Sequence, residues 1–342
     1  MPERVRAFAP GRVNLIGDHT DYNQGLALPF ATTEGVTVTA RPLEFGRIQA
    51  LALDLDERDD FEVDDPPPAE GWRAFVHGAV AELSAAGYNL RGGSLQITGT
   101  VPRGGGLSSS AALEVALCLA LIALGDGEPG DRVSLARLCS RIENDWVGAE
   151  TGLLDQLASL CGRREHAVLI DFRNLALEQL PLALGEHRLV TLDSGEPHSH
   201  AGSGYNQRRA ECRRACQELG VESLREAGLQ DAERLPDPLD RRVRHVITEN
   251  QRVKNAVAAL EGGDLAALGP LLDASHASQR DDYEVSTPAV EKAVQCLKQA
   301  GALGARLMGG GFGGYVLGLL PADAELPEGA VEVAPGPGAH LL

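Results

Sequence analysis

The chain has 342 residues, of which 43% are hydrophobic and 23% are charged, so it is long enough for two domains and has the composition of a globular protein. Its formal net charge of −18 excludes nucleic acid and anionic membranes as main partners, because neutralising phosphates requires a basic face. A small anionic ligand such as a nucleotide needs only a few local donors and stays compatible.

The targeting and cysteine patterns favour the cytoplasm. We find no basic stretch followed by an apolar core near the first residue, and no apolar run long enough to cross a bilayer. The six cysteines are scattered and complete no metal-binding spacing. We therefore expect a cytoplasmic protein with reduced thiols, and we expect it to be a monomer.

The first half of the sequence predicts short strands with helices between them. Alternating or β-branched residues indicate strands at residues 5–9, 26–31, 36–40, 48–53, 95–98 and 167–171. Apolar stripes or runs indicate helices at residues 72–86, 111–124 and 133–147. The acidic, proline-rich stretch 54–70 is typical of an exposed loop.

The second half is richer in helices. Strands are predicted at residues 189–192, 315–320 and 331–333, and helices at 203–219, 241–260, 265–278 and 288–300. The predicted mixture of strands and helices changes near residue 172, so we predict domains at 1–172 and 173–342. No Gly/Ser linker separates them, which predicts two tightly packed halves with a cleft between them.

The stretch "PGRVNLIGDHTDYNQG" at residues 10–25 places many hydrogen-bonding side chains between two apolar runs. This composition favours a loop that holds a polar ligand. The alternative is that Asp18, Asp21 and Asn23 only form turns and that His19 is a hydrogen-bonded structural histidine.

The stretch "VPRGGGLSSSAALEVA" at residues 101–116 combines three glycines and three serines at the start of a buried helix. Glycines allow close backbone approach, and a helix N-terminus offers unpaired N–H groups and a positive dipole, so the pattern predicts a phosphate site. A Walker loop is excluded because no lysine lies here. The alternative is a glycine turn with a serine N-cap.

Two further stretches carry weaker signals. "RIENDWVGAETGLLDQ" at residues 141–156 holds Glu143 and Asp155, which could serve Mg²⁺ and a hydroxyl nucleophile or could simply be solvated acids. "LMGGGFGGYVLGL" at residues 307–319 matches G-x-G-x-x-G through Gly309, Gly311 and Gly314, but it precedes a strand. A hairpin that covers or lines the cleft fits it better than a dinucleotide site.

These stretches, in this order, resemble the galactokinases of the GHMP kinase superfamily. The segments "SQRDDYEVSTPAVE" at residues 278–291 and "RHVITENQRV" at 244–253 strengthen the resemblance. It implies an α+β, two-domain GHMP kinase fold, with an N-terminal domain like ribosomal protein S5 domain 2. The C-terminal domain would be ferredoxin-like, and the active site would lie between the two.

The resemblance also implies roles for individual residues. It places the ATP phosphates at Gly104, Gly105, Gly106, Leu107, Ser108, Ser109 and Ser110, and the adenine near Trp72. It makes Ser110 and Glu143 the Mg²⁺ ligands, and it places the sugar at Asp18, His19, Thr20, Asp21 and Tyr205. Asp155 would be the catalytic base and Arg12 its electrostatic partner. Tyr205 could instead be a packing residue.

The expected activity is ATP-dependent phosphorylation of α-D-galactose at O1. The alternatives are a kinase for N-acetylgalactosamine, galacturonate or L-arabinose, a sugar- and ATP-binding sensor without catalysis, and a NAD-dependent protein that uses residues 309–314. Asp18 replaces the family's usual glutamate, which leaves the preference at the sugar's C6 open. Asn144 and the pair Glu150 and Thr151 also depart from the family pattern, and either departure could retune substrate choice.

Overall fold

A computed structural model describes residues 3–101, 106–149, 151–196 and 203–342 of the chain. Within these residues the strands, in chain order, are β1 (Val5–Asn14), β2 (Leu26–Ala27), β3 (Pro29–Pro42), β4 (Arg47–Ala52), β5 (Glu57–Glu62), β6 (Gly93–Gly99), β7 (His166–Asp171), β8 (Ala176–Pro181), β9 (His187–Asp193), β10 (Gly304–Leu307), β11 (Tyr315–Pro321), β12 (Val331–Val333) and β13 (His340–Leu341).

The described α-helices, in chain order, are α1 (Trp72–Ala85), α2 (Ser109–Leu124), α3 (Arg132–Arg141), α4 (Leu154–Cys161), α5 (Ser203–Leu219), α6 (Leu229–Ala232), α7 (Leu239–Glu261), α8 (Leu268–Asp281) and α9 (Pro288–Gln299). Short 3-10 turns lie at Asp21–Asn23 and Leu265–Ala267, and a π-helical turn lies at Ile142–Val147. None of the helices in the described ranges combines the length and apolar character needed to span a bilayer.

The first half of the chain, together with β13 from the end of the second half, builds a six-stranded sheet in the order β13-β1-β3-β6-β4-β5, in which only the β4–β6 pairing is parallel. Helix α2 lies against this sheet, and nearly all of its side chains are buried, as its continuous apolar run predicts. The N-terminus of α2 is therefore held in place by a rigid core.

Several predicted element boundaries are wrong. β1 continues beyond residue 9 to Asn14. The strands expected at residues 26–31 and 36–40 are instead the two-residue β2 and the long β3, which covers residues 29–31 of the first predicted range and all of the second. The stretch 54–70, expected to be a loop, contains the edge strand β5, whose side chains are mostly exposed and so lack an apolar alternation. The helix expected at 133–147 is α-helical only to Arg141 and then becomes the π-helical turn.

The second half contains an antiparallel four-stranded sheet in the order β10-β11-β9-β12, with α8 and α9 packed on it. Strand β8 pairs with β7, and β13 returns to pair with β1, so hydrogen bonds cross the position near residue 172 where a domain boundary is predicted. That boundary stays a prediction.

One apolar cluster joins the two halves. It contains Val13, Leu15 and Leu28 from the first half and Val253 and Leu317 from the second half, all with fully buried side chains. The polar loop at residues 14–25 therefore starts from a rigid strand and lies against helices of the second half.

Candidate active site

The loop at residues 14–25 is held by its own hydrogen bonds. The Thr20 hydroxyl lies 2.9 Å from the Gly17 carbonyl oxygen and 2.7 Å from that of Leu26, and the Asn23 amide donates to the His19 carbonyl at 2.8 Å. Thr20 is completely buried. Its hydroxyl therefore holds the loop's backbone, so its predicted contribution to the sugar site is indirect.

Asp18 ties this loop to the second half of the chain. Its carboxylate accepts from the Asn14 amide at 2.5 Å, from the Gln279 amide at 3.3 Å, from the Gly309 N–H at 3.1 Å and from the Arg306 guanidinium. Burial raises the pKa of Asp18, and the Arg306 charge opposes that rise. Three of these donors converge on Oδ2, whereas Oδ1 accepts only from Asn14 among the described residues and retains acceptor capacity.

His19 lies in a cluster of aromatic rings and has one free nitrogen. Its Nδ1 is 2.8 Å from the Tyr22 hydroxyl, and its ring lies 4.7 Å from that of Tyr283 and 5.6 Å from that of Tyr205, measured between centroids. Its buried Nε2 has no hydrogen-bond partner within the described part of the chain. Burial holds the pKa of His19 well below its usual value. A neutral imidazole with an unpaired nitrogen suits a hydroxyl-rich ligand.

Asp21 and Tyr205 come together from opposite halves of the chain. Burial raises the pKa of Asp21 to about 6, and the charge of Asp155 also raises it. Burial and the charge of Asp21 raise the pKa of Tyr205. Gly152 packs so tightly here that a Cβ on it would lie 1.9 Å from Asp21 Oδ2. Asp21, Tyr205 and Asp155 therefore lie close enough for their charges to interact, and their predicted role in sugar binding stays a prediction.

Asp155 lies between this site and the glycine–serine turn. The Arg12 guanidinium donates to it twice, with Nε to Oδ1 at 2.9 Å and Nη2 to Oδ2 at 3.1 Å. Ser108 also donates to Oδ2, and Arg12 Nη1 donates to the Gly106 carbonyl. Asp155 lies in the first turn of α4, a helix that the sequence analysis did not predict.

The described part of the glycine–serine turn ends at the N-terminus of α2. Ser108 has a left-handed backbone with φ of 57° and no side-chain cap, so the first N–H groups of α2 face the turn without a capping side chain. The Leu107 side chain is buried in the apolar cluster, and its carbonyl accepts from the Arg12 N–H at 3.0 Å. Gly104 and Gly105 lie outside the described residues.

Glu143 contacts the first turn of α2. Ser110 donates to its Oε1 at 2.8 Å, and Thr151 and Gln156 donate to its Oε2 at 2.8 and 3.0 Å. Burial raises the pKa of Glu143, and the Asp155 charge adds to the rise. Asn144 accepts from the Thr151 N–H at 3.0 Å, so two positions that depart from the family pattern pair with each other.

This donor set fits magnesium held jointly with a nucleotide. In the described residues, no three His, Cys, Asp or Glu side chains gather into a metal site. Mg²⁺ is commonly held by one or two carboxylates together with phosphate oxygens and water, which needs no such protein cage. Oε1 of Glu143 accepts only one hydrogen bond, so it retains acceptor capacity beside the Ser110 hydroxyl.

A cavity of about 670 Å³ opens beside the start of α2. Ser109 and Ser110 line one end, and the remaining wall is largely apolar, including Ala52, Leu55, Trp72, Phe75, Ile97 and Leu113. Trp72 Nε1 donates to Glu57 at 2.8 Å, which fixes the indole in that wall. The size and lining are typical of a small-molecule site, and Trp72 lies where the sequence predicts the base pocket.

The glycine run at residues 309–314 connects β10 to β11 and forms the expected hairpin. It is anchored by the Gly309 N–H bond to Asp18 and by the Phe312 ring, which lies so close to Gly204 that a Cβ there would be 2.5 Å from it. The hairpin thus lies next to the polar loop at residues 14–25.

Comparisons with known proteins identify the family. A model described as the galactokinase galactose-binding signature matches residues 2–42, and the GHMP kinase N-terminal and C-terminal models match 74–163 and 256–332. A galactokinase from Mycobacterium tuberculosis is 46% identical over 92% of this chain and 88% of its own length. The chain belongs to the galactokinase family.

A second relative and the solved structures support this family membership. A galactokinase from Streptomyces coelicolor is 43% identical over 94% of this chain and 85% of its own length. The crystal structure of Lactococcus lactis galactokinase with galactose matches with a TM-score of 0.92 and 33% identity, over 99% of this chain and 95% of that one. The galactokinase resemblance and the α+β two-domain GHMP kinase fold are confirmed, and the chain is a kinase.

Sequence reasoning missed several residues of this site. Arg306 and Gln279 donate hydrogen bonds to the Asp18 carboxylate. Tyr22 and Tyr283 complete the aromatic cluster around His19. Gln279 and Tyr283 lie in the stretch 278–291, which showed a family resemblance but no chemical pattern of its own, and Arg306 lies in none of the stretches singled out. Glu114 did leave a signal, since it is the one charged residue within the apolar run 111–124.

Proposed function

We propose that this galactokinase-family chain transfers the γ-phosphoryl group of ATP to O1 of α-D-galactose. The observation that carries the proposal is the position of Asp155. One carboxylate contacts Ser108 of the glycine–serine turn and Arg12 near the end of β1, just before the polar loop, so it lies at the junction of the candidate phosphate and sugar sites.

The sugar would be held by groups with spare hydrogen-bonding capacity. Asp21 and Tyr205 supply a carboxylate and a hydroxyl, and the unpaired Nε2 of His19 supplies a third contact. Hydroxyls both donate and accept, so such groups separate epimers by geometry, and a misplaced hydroxyl that leaves one unpaired costs about 1–3 kcal/mol.

Asp155 would then orient the anomeric hydroxyl and accept its proton as the O1–phosphorus bond forms. Arg12 and the N–H groups of α2 lie beside the same point and would stabilise the negative charge that develops on the phosphoryl oxygens. No lysine lies in the glycine–serine turn, so these groups carry that task.

Ser110 and Glu143 would hold Mg²⁺. When bound, the ion neutralises the phosphate charge and fixes the phosphate oxygens. Hydrogen bonds from Thr151 and Gln156 to Oε2 orient the buried Glu143 carboxylate in the absence of nucleotide.

The substrate assignment is tested by a coupled assay of ADP release. We expect ADP release only in the presence of sugar, with the highest kcat/KM for D-galactose among D-galactose, N-acetylgalactosamine, galacturonate and L-arabinose. Asp18 replaces the family's usual glutamate and is tied to Asn14 and Arg306, so the C6 position is the most informative contrast in this panel. Turnover of another sugar without turnover of galactose would contradict the assignment.

We also propose that the protein acts as a cytoplasmic monomer. All six cysteines are unpaired thiols in the structure, which agrees with a reducing compartment. Light scattering after size exclusion tests the assembly, with a mass near 36.1 kDa expected and twice that value as the contradicting result.

A further inference from the structure

Helix α2 carries a carboxyl group that its surroundings do not explain. Glu114 has a fully buried side chain in a helix whose other buried residues are apolar or small. Its Oε1 has no hydrogen-bond partner among the residues that the structure describes. A buried, partly unsatisfied carboxyl costs stability, so a role in function is the better explanation for it.

Within the described ranges of the chain, Glu114 has one side-chain hydrogen-bond partner, Gln156, and that contact leads to the candidate magnesium ligand. Gln156 Nε2 donates to Glu114 Oε2 at 3.1 Å and to Glu143 Oε2 at 3.0 Å, so one amide nitrogen bridges the two carboxyl groups. Both Glu114 and Gln156 are fully buried. An amide nitrogen has two hydrogens, and this bridge uses both of them.

We propose that Glu114 is a positioning residue that acts through Gln156 to orient Glu143 for the metal–nucleotide complex. Glu114 holds one hydrogen of the amide, so the other must point at Glu143. With its Oε2 held by Gln156 and Thr151, Glu143 presents Oε1 to Ser110 and the phosphate turn. Gln156 directly follows Asp155 on α4, so the same bridge also fixes the turn that carries the candidate base.

This inference rests on the proposed function, because it assumes that Glu143 contributes to magnesium binding. Groups behind a metal ligand commonly change metal affinity or activity by about 10–100-fold when they are removed. A positioning role predicts a specific loss of the magnesium-dependent part of nucleotide binding, whereas a merely structural role would weaken binding with and without the ion.

The test is calorimetric titration of ADP without sugar, in the presence and in the absence of Mg²⁺. For Glu114→Leu we expect the Mg²⁺-dependent gain in ADP affinity to fall by about 10-fold or more, with Mg²⁺-free affinity unchanged. Glu114→Gln keeps an acceptor oxygen and should retain the gain. Gln156→Leu breaks the bridge from the other side and should reproduce the loss even if Glu114→Leu does not fold.

Ser159→Ala is the matched control. It removes another buried hydrogen bond from α4, the 2.8 Å bond from Ser159 to the Pro10 carbonyl, without touching the bridge. We expect it to keep the full Mg²⁺-dependent gain. A wild-type gain in folded Glu114→Leu, an equal loss with and without Mg²⁺, or the same loss in Ser159→Ala would overturn the positioning role alone. Wild-type protein that binds no ADP would overturn the proposed function with it.

Discussion

Arg12 and Asp155 meet through two parallel hydrogen bonds, the geometry in which a guanidinium and a carboxylate bind most strongly. The pair is only partly shielded, since the Asp155 side chain is 24% exposed and the Arg12 side chain 9%. The exposed remainder of Asp155 is what a substrate hydroxyl can reach. The pair therefore combines a rigid orientation with access to the cleft.

Replacing Asp155 by asparagine should abolish most turnover and leave sugar binding largely intact. The amide keeps the size and loses the ability to accept the O1 proton, a role commonly worth about 10²–10⁴ in rate. We expect kcat to fall by that factor and galactose affinity to change by less than about 5-fold. The coupled assay and calorimetric titration of galactose measure the two quantities.

The control for this variant is Asp145→Asn, which changes an exposed aspartate of the neighbouring π-helical turn. It should leave kcat unchanged. Wild-type kcat in a folded Asp155→Asn protein would remove Asp155 from the mechanism.

Asp21 predicts a pH dependence of sugar binding. Its pKa of about 6 means that the carboxylate is protonated below pH 6 and loses acceptor capacity for sugar hydroxyls. We expect kcat/KM for galactose to fall by up to about tenfold per pH unit below that value. In Asp21→Asn this acid limb should be absent, and galactose KM should be high at every pH. An unchanged acid limb in the variant would assign the titration to another group.

The raised pKa of Asp21 affects folding stability in the opposite direction from sugar binding. Because the pKa of Asp21 is higher in the folded protein than the usual 3.8, the folded state binds the proton more tightly. Stability is therefore lost as pH rises from about 4 to 6, and the ionised side chain remains a cost above that range. Asp21→Asn should accordingly raise the unfolding free energy at pH 8 by about 1–3 kcal/mol, as measured by urea denaturation.

At the scale of elements, two short helical segments place the reactive groups. The π-helical turn at Ile142–Val147 carries Glu143, and α4 carries Asp155, with Gly152 in the connection between them. π-helical turns are rare and occur often at functional sites, because the extra residue re-aims side chains. The connection must pass close to the polar loop for Asp155 to meet Arg12.

Gly152→Ala tests this close approach. The new methyl group would lie 1.9 Å from Asp21 Oδ2, and since that atom ends a side chain, the carboxylate rather than the backbone should move. We expect galactose KM to rise by about 10-fold or more, because errors near 1 Å can cost about 100-fold in a positioned site. ADP affinity should stay unchanged.

Gly46→Ala is its control, since a Cβ at Gly46 would meet nothing within 4 Å. It should match wild type in both binding measurements. A folded Gly152→Ala protein with wild-type galactose KM would mean that Asp21 does not contact the sugar.

The sequence predicts those elements whose side-chain pattern reflects their burial. Helix α2 and strands β1, β3, β4 and β6 of the six-stranded sheet have apolar or alternating patterns, and the sequence predicts their existence. Strand β5 was missed because an edge strand with exposed faces has no such pattern, and α4 was missed because it spans only 8 residues. Short or exposed elements are stabilised by neighbours that a local pattern does not reveal.

The residues of the candidate site also divide into those that the sequence predicts and those that it does not. Arg12, Ser110, Glu143 and Asp155 lie in dense local motifs, and the structure brings them together. The hydrogen bond from Arg306 to Asp18 was not predictable, because it joins residues 288 positions apart. Such a pairing depends on how two halves of the chain dock, and no spacing within one motif encodes it.

At the scale of the whole molecule, the two halves share buried surface. The apolar cluster that joins Val13 and Leu28 to Val253 and Leu317 lies directly behind the polar loop. The buried Arg306 adds hydrogen bonds from the second half to the Asn14 and Leu15 carbonyls at 3.2 and 3.0 Å. Separating the halves would expose this cluster and leave a buried charge without partners.

The shared core predicts one cooperative unfolding transition. Both tryptophans, Trp72 and Trp146, lie in the first half, so their fluorescence reports on that half, whereas far-ultraviolet circular dichroism reports on helices of both. In urea the two signals should give the same midpoint and the same slope. A fluorescence transition separated from the dichroism transition would show that the halves unfold independently.

The product of the reaction tests the central claim most directly. With ATP, Mg²⁺ and D-galactose, ³¹P nuclear magnetic resonance should show a new phosphomonoester whose phosphorus couples to the anomeric proton of the sugar. That result requires the terminal phosphate to reach O1 beside Asp155. Coupling to a different sugar proton, or ATP consumption without any phosphosugar, would contradict the account.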